Sequence, residues 1–169
     1  DKGAEGAALP SQVDNTTLPS FPPVRSQGAL GSCAAFSTTY YAGTHMLGLA
    51  RGWSNSDDGD NSRKLSPKWA YNFANDGADG GAWFSTIMDV LMKLGCPTWS
   101  DFPYVGSAND PAHYLEWSRD AEVWRRAAAQ RFSQIGRVEA VDTSAGLANV
   151  KALLANGYAG ATTKLIAEE

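Results

Sequence analysis

The sequence predicts an α+β domain in which helices come first and strands follow near the end. The first observation is apolar residues at helical spacing, each set bounded by a cap or a glycine, over residues 33–49, 66–74 and 83–94. The second is a change to strand-like patterns at 132–141 and 158–166. Helices followed by strands, rather than alternating with them, are typical of the α+β class.

Composition narrows the function classes. The chain has 169 residues, of which 43% are hydrophobic and 19% charged, enough to bury the core of a single domain. A net charge of −4 argues against a nucleic-acid surface, and we expect no membrane span because no run of 18 apolar residues occurs. No phosphate loop, His-Glu metal pair or CxxC motif is present, so neither a cofactor nor a metal is expected.

The first predicted helix follows a glycine-containing loop, Gln27 to Gly31. Ser32 is a typical N-cap, and the apolar stretch runs from Cys33 to about Leu49. Ahead of it, residues 1–20 are rich in small residues and proline and are interpreted as an extended or mobile lead-in.

The later elements carry similar boundary signals. A second helix is expected to begin at Ser66-Pro67, and a third to run from about Trp83 to Leu94, closing on Gly95. Residues 111–130 are helical by composition, and the two expected strands flank a short helix over 144–155.

Cys33 occupies the position where a thiol is most readily activated. Unpaired N–H groups at the start of a helix favour the thiolate. Acyl transfer also requires donors for a developing oxyanion, which the Cys33 backbone N–H and the side-chain amide of Gln27, six residues upstream, would provide. The simpler alternative is that Cys33 is a small hydrophobic residue buried in a core helix.

Five segments, taken in order, resemble the papain family of cysteine peptidases. They are VRSQGALGSCAAF (24–36), LSPKWAYN (65–72), DGGAWFSTIMDVLMKLG (79–95), FPY (102–104) and RVEAVDTSAGLANVKALLANG (137–157). The resemblance covers about residues 18–166, and its form is closer to bacterial members than to the secreted plant and lysosomal ones.

The resemblance implies a papain-like fold and a role for four residues. Cys33 would be the nucleophile, Gln27 an oxyanion donor, and Gly80 and Gly81 backbone partners of an extended protein or peptide substrate. A plain loop turn remains the alternative for the two glycines.

The resemblance also implies a division of the chain. Residues 21–130 would form a helical left domain that carries the nucleophile, and residues 131–169 the incomplete start of a β-rich right domain. The compartment is left open, with a secreted or cell-surface location preferred over the cytoplasm.

The sequence departs from the family pattern at several places. Leu30 and Ala78 stand where the family has a disulfide, so we expect no bridge there and a free core thiol at Cys96. Ala34 replaces the aromatic residue that follows the nucleophile. Trp83 either narrows the substrate pocket or belongs to the core.

The family's base is the largest departure. His45 lies twelve residues along the helix from Cys33, about 18 Å away at 1.5 Å per residue, and His113 matches no family motif. We therefore expect the base His and its orienting Asn beyond residue 169, in a remaining C-terminal half from the same gene or on a separate chain.

The missing base is compatible with three kinds of molecule. The chain is either a piece of a longer polypeptide, a papain-like binding module without catalysis, or a product of truncation. A separate alternative for the two cysteines is a redox pair between Cys33 and Cys96.

Overall fold

The computed structural model describes residues 9–158, and this part of the chain is mainly helical. A 3₁₀ turn at Asn15–Thr17 precedes α1 (Cys33–Ala35), a π-helical segment (Phe36–Gly43), α2 (Thr44–Arg51), α3 (Pro67–Ala74), α4 (Phe84–Lys93), α5 (Ala112–Leu115), α6 (Ala121–Ala128) and α7 (Ser144–Ala155). None of the helices in the described part is long and apolar enough to cross a bilayer.

The segments α1, π and α2 follow one another directly and form one central helix. The prediction of a helix starting at Cys33 is confirmed, whereas the wide π-helical middle was not predicted. The hydroxyls of Ser37 and Thr38 both donate to the carbonyl of Ala34, at 3.1 and 2.6 Å. Such side-chain bonds compete with the regular backbone ladder and loosen it.

Helices α3 and α4 begin and end as their sequence signals predict. The Ser66 hydroxyl accepts from the backbone N–H of Trp69 at 3.4 Å, and Pro67 occupies the first helical position. Helix α4 covers Phe84–Lys93, and the chain leaves it through Gly95 at φ 76°. These two helices pack against the central helix and form the wall behind Cys33.

The prediction of one continuous helix over 111–130 is wrong. The structure has two helices there, Ala112–Leu115 and Ala121–Ala128. The backbone becomes extended at Glu116 (φ −66°, ψ 138°), and the Asp120 side chain then caps a new helix. Composition indicated helix in this region, but the competing cap divides it.

The predicted strand over 132–141 is not formed within residues 9–158. A strand requires a neighbour that pairs with successive N–H and C=O groups, and no such ladder forms among the described residues, where the Phe132 N–H donates to the Leu91 carbonyl at 3.2 Å. Its Ala140 is also left-handed, at φ 53°. The second predicted strand, apart from Tyr158, lies outside the described residues. Helix α7, between them, is confirmed at 144–155.

Trp69, on α3, lies at the centre of the core, where this helix packs against later segments of the chain. It is fully buried, its ring lies 4.6 Å from that of Trp124 and 5.6 Å from that of Phe102, and its indole N–H donates to the Gly95 carbonyl at 3.0 Å. Each such aromatic pair adds about 0.5–1.5 kcal/mol beyond its buried area.

A second aromatic group joins the central helix to residues 99–104. The Phe36 ring stands edge-on to Tyr104 at 4.9 Å, and Tyr40 stands edge-on to Trp99 at 5.3 Å. The segment that ends at Tyr104 is therefore fixed against the helix that begins at Cys33.

Ser66→Ala tests this arrangement. The buried Ser66 hydroxyl also donates to the Phe102 carbonyl at 2.6 Å, so its loss leaves a helix N–H and a carbonyl unpaired. We expect the free energy of unfolding, measured in urea, to fall by about 1–2 kcal/mol. Ser85→Ala, at an exposed position of α4, is the control and should change it by less than about 0.5 kcal/mol. Equal effects would contradict the assignment.

Candidate active site

Cys33 is the first residue of α1, and its side chain is exposed. The two residues that follow it, Ala34 and Ala35, are 2% and 0% exposed. The helix thus turns its second and third residues into the core while the sulfur faces solvent. The alternative of a buried hydrophobic cysteine is wrong for this position.

The start of α1 lacks the side-chain cap that Ser32 was predicted to supply. The Ser32 hydroxyl makes no capping bond and instead lies 2.7 Å from the Tyr104 hydroxyl, fully buried. Because no side chain caps them, the first N–H groups of the helix are left to stabilise an anion beside Cys33.

Gln27 is held within the loop that leads to Cys33. Its side-chain amide donates one hydrogen bond to the Leu30 carbonyl at 2.9 Å. An amide nitrogen carries two N–H bonds, so the second is left for another acceptor. The side chain is half-buried, and this restricts the directions in which that N–H can point.

The same loop lies against Gly106 at van der Waals distance. Gly28 has φ +66°, and a Cβ at this position would lie 2.0 Å from the Gly106 carbonyl oxygen. The backbone N–H of Ala29 donates to that oxygen at 2.9 Å. Only glycine satisfies both the left-handed backbone and the close approach here.

Asp79 joins the loop before Cys33 (Gln27 to Gly31) to the segment that contains Gly80 and Gly81. Its Oδ1 accepts a hydrogen bond from the Gly31 backbone N–H at 2.8 Å and another from the Tyr71 hydroxyl. A Cβ at Gly31 would lie 2.9 Å from the Gly81 nitrogen, so the two backbones are almost in contact. Burial, and then the hydrogen bond to Asp79, raise the pKa of Tyr71, which keeps its proton.

Gly80 and Gly81 therefore lie beside the loop that carries Cys33. Gly80 is exposed, and a Cβ there would meet no atom within 4 Å, whereas Gly81 has φ +100°. Trp83, just beyond, is 78% exposed, which rules out a core position for its side chain.

The Asp79–Gly31 bond lies beside Leu30 and Ala78, the two positions where the resemblance to the papain family implies a disulfide. Leu30 is 1% exposed and belongs to the core, while Ala78 is exposed. Asp79 and Gly31 each lie one residue further along, so a hydrogen bond joins the same two segments without sulfur.

The two cysteines do not form a pair. Both are free, Cys33 exposed and Cys96 buried, so the redox-pair alternative is wrong and the prediction of a free core thiol at Cys96 is confirmed. Burial raises the pKa of Cys96 and keeps it protonated and unreactive.

Both histidines of the chain make hydrogen bonds to groups other than Cys33. His45 is fully buried in α2, with Nδ1 2.9 Å from the Ser20 hydroxyl and Nε2 2.7 Å from the Gly157 carbonyl. His113 is half-buried, with Nδ1 2.7 Å from the Ser107 carbonyl. The described residues contain no group of three or more His, Cys, Asp or Glu side chains that would hold a metal.

Sequence reasoning missed three polar side chains that hold this site together. Tyr71, Asp79 and Tyr104 each lie within a segment that resembles the family, but the motifs alone indicate no role for them. The available signal was a carboxylate directly before two glycines, and tyrosines rather than phenylalanines in apolar segments. A buried hydroxyl requires a partner, which is Asp79 for Tyr71 and the loop before Cys33 for Tyr104.

Gly28→Ala tests the close approach of the loop to Gly106. The Cβ conflicts with a backbone carbonyl, and the positive φ alone costs about 1–2 kcal/mol. We expect a loss of at least about 2 kcal/mol in unfolding free energy measured by urea titration. Gly80→Ala, in open space, is the matched control and should leave the midpoint nearly unchanged. A Gly28 variant as stable as the control would contradict the geometry.

Two known cysteine proteases are similar to the chain. No protein-family model matches the chain. Digestive cysteine proteinase 1 of Homarus americanus is 34% identical over 106 residues, which is 62% of this chain and 31% of that protein. The crystal structure of xylellain, a cysteine protease from Xylella fastidiosa, superposes with a TM-score of 0.63 at 21% identity, covering 89% of this chain and 55% of that one.

The chain thus spans about a third of the curated relative's length and just over half of xylellain's. The structural likeness establishes the fold, and the sequence match concerns a cysteine proteinase. The helical part of the predicted fold is confirmed, whereas its strands are not seen in residues 9–158. In motif order, sequence and fold, the chain is thus similar to papain-like cysteine proteases over part of their length.

Proposed function

We propose that the chain supplies the nucleophile of a cysteine endopeptidase that hydrolyses peptide bonds through an acyl-enzyme on Cys33. One observation carries this proposal. The Cys33 thiol is exposed at an uncapped helix start, within a loop held on one side by Gly106 and on the other by Asp79.

Each group has a defined role in the proposed reaction. The base takes the proton of the Cys33 thiol, the resulting thiolate attacks the scissile carbonyl carbon, and the carbonyl electrons move onto oxygen. The Cys33 backbone N–H and the free amide N–H of Gln27 donate to that oxyanion. As the C–N bond breaks, the leaving amine takes a proton from the base, and water then hydrolyses the thioester and restores the thiol.

The base is assigned outside these residues. Both ring nitrogens of His45 lie at hydrogen-bond distance from other groups, and His113 is bonded within its own loop. We therefore assign the base His and its orienting Asn to residues beyond 169, in the C-terminal half of the peptidase domain. That half is the proposed partner of this one, and the division at about residue 130 belongs to the same proposal.

Gly80 and Gly81 are assigned to substrate binding. An extended peptide binds by main-chain hydrogen bonds, and glycines let it approach the backbone closely. Gly80 is open to solvent, and Gly81 lies against the nucleophile loop, so a peptide bound along them would pass beside Cys33.

The alternative is a papain-like binding module without catalysis, or a fragment. His45 and His113 both bond to groups other than Cys33, which is compatible with this alternative. Such a module would bind peptides along Gly80 and Gly81 but would neither form an acyl-enzyme nor require Gln27.

Hydrolysis of a fluorogenic peptide library distinguishes the two functions. In the polypeptide that includes the base, Gln27→Ala should lower kcat/KM by about 100- to 1,000-fold, the usual effect of losing one oxyanion donor. Gln134→Ala, at an exposed position outside the site, is the matched control and should leave kcat/KM unchanged.

Cys33→Ser should abolish turnover. Peptide hydrolysis that survives Cys33→Ser, or a wild-type protein that binds peptides without cleaving them, would overturn the proposal.

A further inference from the structure

The Tyr104 hydroxyl contacts both ends of the loop that precedes Cys33. It lies 2.6 Å from the Gln27 carbonyl and 2.7 Å from the Ser32 hydroxyl. A phenol has one proton, and a carbonyl only accepts, so that proton is donated to Gln27. It follows that Ser32 donates to the Tyr104 oxygen, which fixes the direction of the whole chain of hydrogen bonds.

These bonds lie in a dry, packed environment. Ser32 is 0% and Tyr104 8% exposed, and the Tyr104 ring stands edge-on to Phe36 at 4.9 Å. Burial is the largest cause of the raised pKa of Tyr104, so the phenol stays neutral and keeps its donor. A hydrogen bond without competing water is electrostatically stronger and less mobile than one at the surface.

The consequence concerns the distance between two functional groups. Gln27 opens the loop and Cys33 immediately follows Ser32, so one oxygen atom, that of the Tyr104 hydroxyl, bridges the two ends of the loop. The second constraint on the amide, its bond to the Leu30 carbonyl, lies within the same loop and therefore moves with it. Within residues 9–158, the hydrogen bond that the Gln27 carbonyl accepts from outside the loop comes from Tyr104.

We propose that Tyr104 is a positioning residue, which orients the Gln27 amide toward the oxyanion through the Ser32–Tyr104–Gln27 hydrogen bonds. This inference rests on the function proposed above. Tyr104 touches no reacting atom, and its effect passes through Gln27.

Tyr104→Phe removes the hydroxyl and keeps the ring against Phe36. We expect kcat for peptide hydrolysis to fall by about 10- to 100-fold, with KM changed by less than about threefold, because a small misplacement of a catalytic donor has effects of this size. Tyr40→Phe is the matched control. It removes one hydrogen bond, at 2.8 Å to the Pro23 carbonyl, from the same aromatic group and should leave kcat within about twofold.

A double-mutant cycle separates positioning from general damage. If Tyr104 acts through Gln27, Tyr104→Phe should lower kcat/KM by less than about twofold in a Gln27→Ala background. Alkylation of Cys33 by iodoacetamide, a displacement that builds no oxyanion, should proceed at the wild-type rate in Tyr104→Phe.

The possible results distinguish failure of the positioning role from failure of the proposed peptidase function. A Tyr104→Phe protein with unchanged kcat, or with the same loss in both backgrounds, overturns the positioning role while the proposed peptidase stands. A wild-type protein without hydrolysis overturns both. Gln27 side-chain amide signals, read by NMR without any substrate, should shift in Tyr104→Phe and stay in place in Tyr40→Phe.

Discussion

The close approach of the loop before Cys33 to residues 104–106 is the constraint on which the rest of the site depends. Gly28 lies against the Gly106 carbonyl, and the Tyr104 hydroxyl donates a hydrogen bond to the carbonyl of the neighbouring Gln27. Without this contact, an exposed thiol and a side-chain amide six residues apart would have no fixed relation. With it, both belong to one rigid corner of the fold.

The aromatic core explains why that corner can be rigid. Phe36 and Tyr40, on the central helix, pack edge-on against Tyr104 and Trp99, and so tie the helix that begins at Cys33 to the segment that holds its loop. On the opposite side, Asp79 ties Gly31 to the glycine segment. The loop before Cys33 is therefore held on two sides, by Tyr104 at the Gln27 carbonyl and by Asp79 at the Gly31 N–H.

The sequence was informative where local signals act alone. The start of the central helix at Cys33, the Ser66-Pro67 start of α3 and the helix over 144–155 follow from caps and apolar spacing, and all three are present. The fold class was predicted from the order of helices and strands, and its helical part is confirmed.

Where the predictions made from the sequence were wrong, the physical cause is one that local sequence patterns do not show. Ser32 is a good N-cap by type, but the Tyr104 hydroxyl, distant in sequence, takes its side chain. Composition marks 111–130 as helix and cannot show that Asp120 starts a second one. A strand over 132–141 needs a partner that residues 9–158 do not supply. The roles of Cys33, Gln27, Gly80 and Gly81 stay predictions.

The central claim is that Cys33 is an activated nucleophile, and its rate of covalent modification tests this most directly. In the polypeptide that carries the base, a peptidyl vinyl sulfone should modify Cys33 near neutral pH at least roughly tenfold faster than it modifies a free cysteine peptide. Mass spectrometry should place the adduct on Cys33 and leave the buried Cys96 unmodified. Modification no faster than that of the free peptide, in a protein shown to contain the base, would contradict the account.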